Sequence, residues 1–447
     1  MTASDPMAQG PLQRTAATRH GLRPGTPGAP VDIENREELI YTLGKAAELE
    51  HLIICQYLYA AFSLKRTTDE GVPSELEPVL KRWSDQLLEI GVQEMLHLAL
   101  VQNLLTSIGA GPHLSRPNFP VPPRAFPARI QISLMPFSEA ALRHFAFLER
   151  PDGTDMSDAE GIAALEQAWR YEDIDEDAIG PIVADFDTIS HLYRSIENGM
   201  SVLAGRMGEE RLFIGPGDAQ ASGAHFWFDE LVEVTDLASA KTAIETIVEQ
   251  GEGARGDWHE AHFGRLLTVL DEFLAVREAN PGFEPARPVL LSRVRPLESG
   301  ELMPLISAPF SVRCVDLMNA VYEVVLEVLA RYFAHSDETD AQLATLAKVA
   351  IELMDRVVAP LGRIVTRLPV GPDHPGHTVG PSFELFYATD YLLPHRAAAW
   401  TLMVERLEEV AVFAVSCRRE CPSQFTVELA KVSDKLREEA DRLKAAS

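Results

Sequence analysis

Basic residues are scarce in this chain, and cysteines scarcer still. Lys and Arg number 40 against 67 Asp and Glu, a formal net charge of −27, and so negative a surface repels nucleic acid and anionic membranes. Four cysteines in 447 residues are too few for a disulfide framework and fit a reducing compartment. Two of them, Cys417 and Cys421, form a CxxxC that reads as a pair of thiols on one helix face. No apolar run approaches the roughly 20 residues that a membrane-crossing helix needs. Aromatic residues are only 7% of the chain, yet 46% of it is hydrophobic, enough for substantial cores at this length. These shortages point to a cytoplasmic protein without nucleic-acid or membrane partners, and they leave a homo-oligomer open.

Residues 1–34 are rich in Pro, Gly, Ala and Thr, carry Arg14, Arg19 and Arg23, and show no periodicity, the composition of a disordered leader. From Arg36 the pattern becomes helical. Leu39, Leu43, Ala46, Glu50, Ile54 and Tyr57 form an apolar stripe broken by one carboxylate. A second stripe, Trp83, Leu87, Ile90, Glu94, His97, Val101, Leu104 and Ile108, is broken only by Glu94 and His97. An unpartnered buried carboxylate is very costly, so something must neutralise it. Alone, Glu-x-x-His on a helix is better explained by a buried Glu-His pair or a polar seam. A Glu from one helix joined to Glu-x-x-His from the next is the metal-ligand pattern of ferritin-like carboxylate bundles. Glu48 and His51 lie off the first stripe and read as solvated or supporting residues.

After Gly109 comes a proline-dense connection that cannot be helical, placed where such bundles need a long crossover between their second and third helices. Within it, Ile130, Ile132 and Leu134 alternate with polar residues as a short strand would, and Ser138 caps an amphipathic helix to about Arg150. The acidic run from Asp152 to Asp187, including EDIDED, lacks the spacing and glycine of a calcium loop and reads as solvated. Phe186, Ile189, Tyr193, Ile196 and Met200 mark a third bundle helix. Glu197 borders that stripe and His191 turns away from it, which favours Glu197 as the third-helix ligand. A helix follows from Ser239 to Gln250 and stops at a run of three glycines. Beyond it His259, His262, Leu266, Leu270 and Phe273 share one face, placing two imidazoles where Glu-x-x-His is expected. Glu260 is rotated from His259 by about 100°. Glu252, in the glycine-rich break, is free to swing inward. The expected ligand set is thus Glu50, Glu94, His97, Glu197, His259 and His262, with the participation of His191 and Glu260 open.

The blocks ELEHLIICQYLYAAFSLK, EMLHLALVQNLLTSIGAGPHLSRPNF, LMPFS with FAFLERP, ISHLYRSIENG, LFIG with a later Gln220, and VEQGEG with AHFGRL occur in one order from about Arg36 to Phe273. In this the chain resembles the ferritin-like domain of the iminophenylpyruvate dimer synthases of violacein and indolocarbazole biosynthesis, and it reads as a stand-alone member. The resemblance implies a non-haem metal site and, for the full-length relatives, oxidative coupling of two imines derived from an aromatic amino acid. Glu50, Glu94, His97 and His262 match the family pattern. The family places carboxylates at the positions of His191 and His259, so an imidazole-rich site holding one or two metals is implied here.

Beyond Pro281 a linker over 281–310, rich in Pro and Arg, leads to a C-terminal helical domain, 311–447, with helices over Cys314–His335, Asp340–Leu368, Ala398–Phe413 and Phe425–Leu443. His374 and His377 lie in a Pro- and Gly-rich loop and read as exposed. The expected architecture is all-α: a ferritin-like four-helix bundle over 35–280 with a long crossover, followed by this region, which serves as the bundle's companion and covers its substrate entrance. The expected function is oxidation of a small, amino-acid-derived molecule in secondary metabolism, with one or two Fe ions, or another divalent metal, and O2 or peroxide. Tyr57 and Tyr193, on the ligand stripes, are either hydrogen-bond donors to the site or core aromatics. An accessory protein that keeps the fold without redox chemistry is the alternative. Iron storage fits poorly with the crossover and the large C-terminal half.

Overall fold

The computed structural model describes residues 20, 22–121, 132–156, 186, 188–253, 257–296, 303–386 and 395–447. Helix α1, Arg36–Ser63, starts where the Asn35 side chain accepts from the Glu38 amide, with Glu37 and Glu38 in the first turn complementing the helix dipole. Helix α2, Glu77–Ser107, has proline in its first turn and ends at Gly109, whose φ of 85° turns the chain away. The two pack along each other, burying the stripes read from the sequence. The long crossover follows and contributes a helix of its own, α3 (Glu139–Leu148), capped by Ser138 as expected. Ile132 to Leu134 form no strand, and Ile130 lies outside the described residues. The EDIDED run also lies outside them.

Helix α4, Ile189–Met207, packs on α1. Helix α5, Leu237–Gly251, opens with a reciprocal Asp236/Ser239 capping box and packs on α4 and α2. Helix α6, Ile-free in its first turn, spans His262–Ala279 and packs on α2, α3 and α5. This start differs from the sequence reading, which ran the helix back through His259. Trp258 is buried edge-on against Phe263 at 5.0 Å between ring centroids, and the Ala261 amide turns back to the Trp258 carbonyl. That turn ends the helix three residues short of His259 and leaves it outside.

Of the expected disordered leader, residues 1–19 lie outside the described residues. Residues 28–34 run in contact with α4. The Val31 amide donates to Ser195 Oγ at 3.0 Å, His191 Nε2 donates to the Ala29 carbonyl at 2.8 Å, and buried Ile33 sits against Gly199.

In the C-terminal region α7, Pro309–Phe333, packs on both α8, Asp340–Leu353, and α10, Arg396–Glu420. Helix α11, Thr426–Ala446, closes over α10 and α8. The helix read as continuous from Asp340 to Leu368 is interrupted by a π-helical turn, Met354–Val358, before α9, Ala359–Val365. Pro360 has no N–H for the carbonyl four residues back, and the chain widens by one residue to pass it. Helix α9 then packs on α1. The Phe62 carbonyl accepts from Arg287 and from Thr366, while Arg293 and Glu384 form a buried ion pair at 2.8 Å, so buried hydrophobic side chains form one cluster through both halves. Among the described residues no helix is long and apolar enough to cross a membrane.

The crossing of α9 over α1 is set by Gly362, where a Cβ would lie 2.3 Å from the buried Phe62 ring. Gly362→Ala is expected to destabilise the protein by roughly 1–3 kcal/mol, read as a lowered midpoint in denaturant unfolding with helical content unchanged.

Candidate metal centre

Helices α1, α2, α3 and α6 deliver three carboxylates and two imidazoles to one buried point. Glu94 lies at its middle. Its Oε2 is 2.8 Å from His97 Nδ1 and its Oε1 is 2.9 Å from His262 Nδ1. Glu50 Oε2 stands 3.8 Å from the first imidazole and Glu149 Oε2 stands 3.7 Å from the second. The result is two triads, Glu50–Glu94–His97 and Glu94–Glu149–His262, each with its donor atoms within 4.8 Å of one another and with Glu94 common to both. The two imidazole rings stack at 5.5 Å between centroids. All five side chains are buried.

The surroundings repeat on the two sides. Tyr193 donates to Glu50 Oε1, and Tyr57 donates to Glu149 Oε1 at 2.6 Å. Each tyrosine holds one oxygen of an outer carboxylate and leaves the other facing an imidazole. Burial and the neighbouring carboxylates raise both phenol pKa values, which keeps the phenols protonated and donating. Gln93 Oε1 lies 3.2 Å from His262 Nε2 and accepts from Arg265 Nη1 at 2.7 Å. Because arginine can only donate, that contact fixes the amide's orientation, and His262 Nε2 must carry the proton given to Gln93. In the neutral ring the lone pair is then on Nδ1, which faces Glu94 and Glu149 and makes no aligned hydrogen bond to either. Gln250 Oε1 lies 3.0 Å from His97 Nε2, while His97 Nδ1 is hydrogen-bonded to Glu94 Oε2 at 2.8 Å. An imidazole oriented by a hydrogen bond at its far nitrogen, with the near one aimed at carboxylates, is how histidine ligands of metals are supported.

The charges fit a cation as well. Burial and the Glu94 charge push Glu50 up to about 8. Burial would raise Glu94 too, but His97 and His262 outweigh it and hold Glu94 well below the usual carboxylate range. Both imidazoles are raised against the opposing effect of burial, chiefly by Glu94. Protons are thus retained to offset carboxylate charge that divalent cations would offset instead. Buried carboxylates with imidazoles suit Fe, Mn or Zn.

Four of the expected ligands, Glu50, Glu94, His97 and His262, come together. Glu197 does not: it faces Lys241 at 3.6 Å with a side chain 35% exposed. The stripe that carries Tyr193 and Ile196 buries its own face and leaves Glu197 at the boundary. His259 precedes α6 and is half exposed beside Glu260, itself 95% exposed. His191 is tied to Ala29, and Glu252 is held by Arg194, Ser190 and the Asp152 amide, away from the cluster. His374 and His377 lie on the 371–377 loop, outside both triads.

The sequence reading missed Glu149, although the signal was present. It follows Leu142 and Phe145 at helical spacing, a carboxylate closing an apolar stripe as Glu50 interrupts one. Gln93 and Gln250 lie off the stripes and carried no such signal.

A helical bundle with shared carboxylates and paired imidazoles at its centre belongs to a definite class of fold, and the comparison with known sequences agrees. The profile of the ferritin-like family matches residues 43–271, and the chain belongs to that family. The resemblance read from the sequence blocks is borne out at this level. Over 398 residues the chain is 25% identical to the dichlorochromopyrrolate synthase of Lentzea aerocolonigenes, covering 81% of this chain and 37% of that protein. Over 383 residues it is 29% identical to the 2-imino-3-(indol-3-yl)propanoate dimerase of Chromobacterium violaceum, covering 80% and 35%. The match thus spans little more than a third of either relative. A crystal structure of a ferritin-like protein from Caulobacter vibrioides aligns over 71% of this chain and 96% of that one, at 19% identity and a TM-score of 0.42.

Metal titration of the purified protein separates the residues. Glu149→Ala is expected to weaken binding at one of two sites by about 10- to 100-fold or more, whereas Glu197→Ala and His259→Ala leave both sites unchanged.

Proposed function

We propose that this chain is a non-haem metal-dependent oxidase or oxygenase, with iron as the metal, acting on a small amino-acid-derived molecule in secondary metabolism. The observation that carries the reading is the position of Glu94, which offers one oxygen to each of two otherwise separate donor sets. Glu50 and His97 would hold one ion, Glu149 and His262 a second, with Glu94 between them. Iron bound there would supply electrons for reducing O2 or peroxide at positions the protein leaves open. The chain's own part is to hold that geometry. Tyr57 and Tyr193 each restrain one carboxylate oxygen, Gln93 and Gln250 hold the far nitrogens of the imidazoles, and the apolar stripes of α1 and α2 keep water from the cluster.

The relatives support the biosynthetic setting, since one is named as a synthase and the other as a dimerase of an indolyl imino acid. In this reading residues 35–280 form the metal-binding unit and 311–447 its helical companion. The alternative, an inactive accessory protein, rests on the histidines His191 and His259 at positions where the family has carboxylates. With Glu149 in the cluster, neither histidine is needed.

Elemental analysis of protein from iron-supplemented cells, followed by an oxygen-electrode assay of the reduced protein, tests the proposal. Up to two irons per chain with O2 uptake are expected. Glu94→Ala, folded by circular dichroism, should lose both the metal and the uptake. A folded wild-type chain that retains no metal would hand the reading to the accessory protein, and many irons per chain would indicate storage.

A further inference from the structure

A second cavity, of about 470 Å³, lies between the bundle and the C-terminal helices. Its volume is that of sites for small organic molecules. His51 and Met95 line it, and each adjoins a residue of the carboxylate cluster in sequence. At about 100° per residue, they belong to the neighbouring faces of α1 and α2. Ile54 and Leu98, each one turn past a cluster carboxylate, line the cavity as well, but none of the five clustered donors does. The cavity is therefore distinct from the metal centre.

Its inner end offers a ligand no free polar group. At that end both nitrogens of the His51 ring are already engaged. Its Nδ1–H donates to the Leu114 carbonyl at 2.9 Å, and its Nε2 accepts from Tyr322. Aromatic and aliphatic side chains make most of the remaining wall, with Trp227 held at the mouth in a left-handed conformation, φ 58°.

Two charged side chains interrupt that wall: Asp355, which is paired with Arg356, and Arg363. The Arg363 side chain lines the cavity, its buried Nε has no hydrogen-bond partner, and the guanidinium forms no ion pair among the described residues. The acids around it are Asp355, which pairs with Arg356, Glu428, which pairs with Arg367, and Asp85, which pairs with Lys81. The fold works to place this arginine. In an unbroken α-helix Arg363, nine residues after Met354, would point about half a turn away from it. The π turn at Met354–Val358 rotates less per residue, and both side chains line the same cavity.

We infer that the cavity binds an apolar organic molecule bearing one carboxylate, its body among the aromatic and aliphatic walls and its carboxylate on Arg363. Such a ligand would touch none of the five clustered donors. Aliphatic and aromatic acids share this chemistry.

Calorimetric titration of the full chain with octanoate and with indole-3-acetate, against 1-octanol and indole-3-ethanol, tests this and identifies which acid is preferred. At least one acid should bind about tenfold or more tightly than its alcohol, the difference of a charge-assisted hydrogen bond, and quench Trp227 fluorescence. Arg363→Met should remove that preference while leaving alcohol binding and metal content unchanged. Leu329→Trp, which fills the cavity and keeps Arg363, should abolish binding of both. No acid binding at millimolar concentration, equal affinity for acid and alcohol, or an acid preference that survives Arg363→Met would each overturn the inference.

Discussion

Three carboxylates buried within one bundle are the constraint on which the rest of this structure depends. Taking even one such charge out of water costs several kcal/mol unless it is paired and fully hydrogen-bonded. Here the compensation is shared: Glu94 lies between His97 and His262, and Glu50 and Glu149 are each held by a tyrosine on one oxygen. Each partner comes from a different place in the chain, so the charges are tolerable only when α1, α2, α3, α4 and α6 are all in position. The cluster is thus a condition on the packing of the whole bundle as well as a candidate site of chemistry.

Helices α1 and α2 serve two interiors at once. One face of the pair carries the carboxylates. The adjacent face is covered by α7, α9 and the π turn, leaving the apolar cavity between. Pro360 and Gly362 have opposite effects on that cover: the proline widens the helix before it arrives, and the glycine lets its backbone close on Phe62. The Arg363 guanidinium lies 6.0 Å over the Phe62 ring and has no carboxylate partner among the described residues. At the edge of so apolar a space that is a cost to stability, which is why Arg363 points to a ligand better than any apolar lining residue does.

Much of the bundle was legible beforehand. The interrupted stripes at Glu50 and at Glu94/His97 identified α1 and α2, the proline-dense segment marked the crossover, and His262 was found by its place on an apolar face. The errors have a common origin. Glu197 and His259 were assigned from helical phase alone, and phase says nothing of where a helix starts or how far a stripe's edge is covered. The Trp258 turn moved the start of α6, and the edge of α4 was left to solvent. Glu149 was missed because α3, although read as an amphipathic helix, was not counted among the helices that carry ligands.

By itself, then, the sequence determined which side chains must be buried, because periodicity and polarity are local properties of a helix. From it followed the all-α class, the ferritin-like order of blocks and four of the five clustered donors. Only the tertiary structure decided that Glu149 completes the second triad, that Gln93 and Gln250 orient the imidazoles, and that Arg363 faces a cavity. Those facts depend on distances between residues up to 300 positions apart, and no local pattern encodes a distance of that kind.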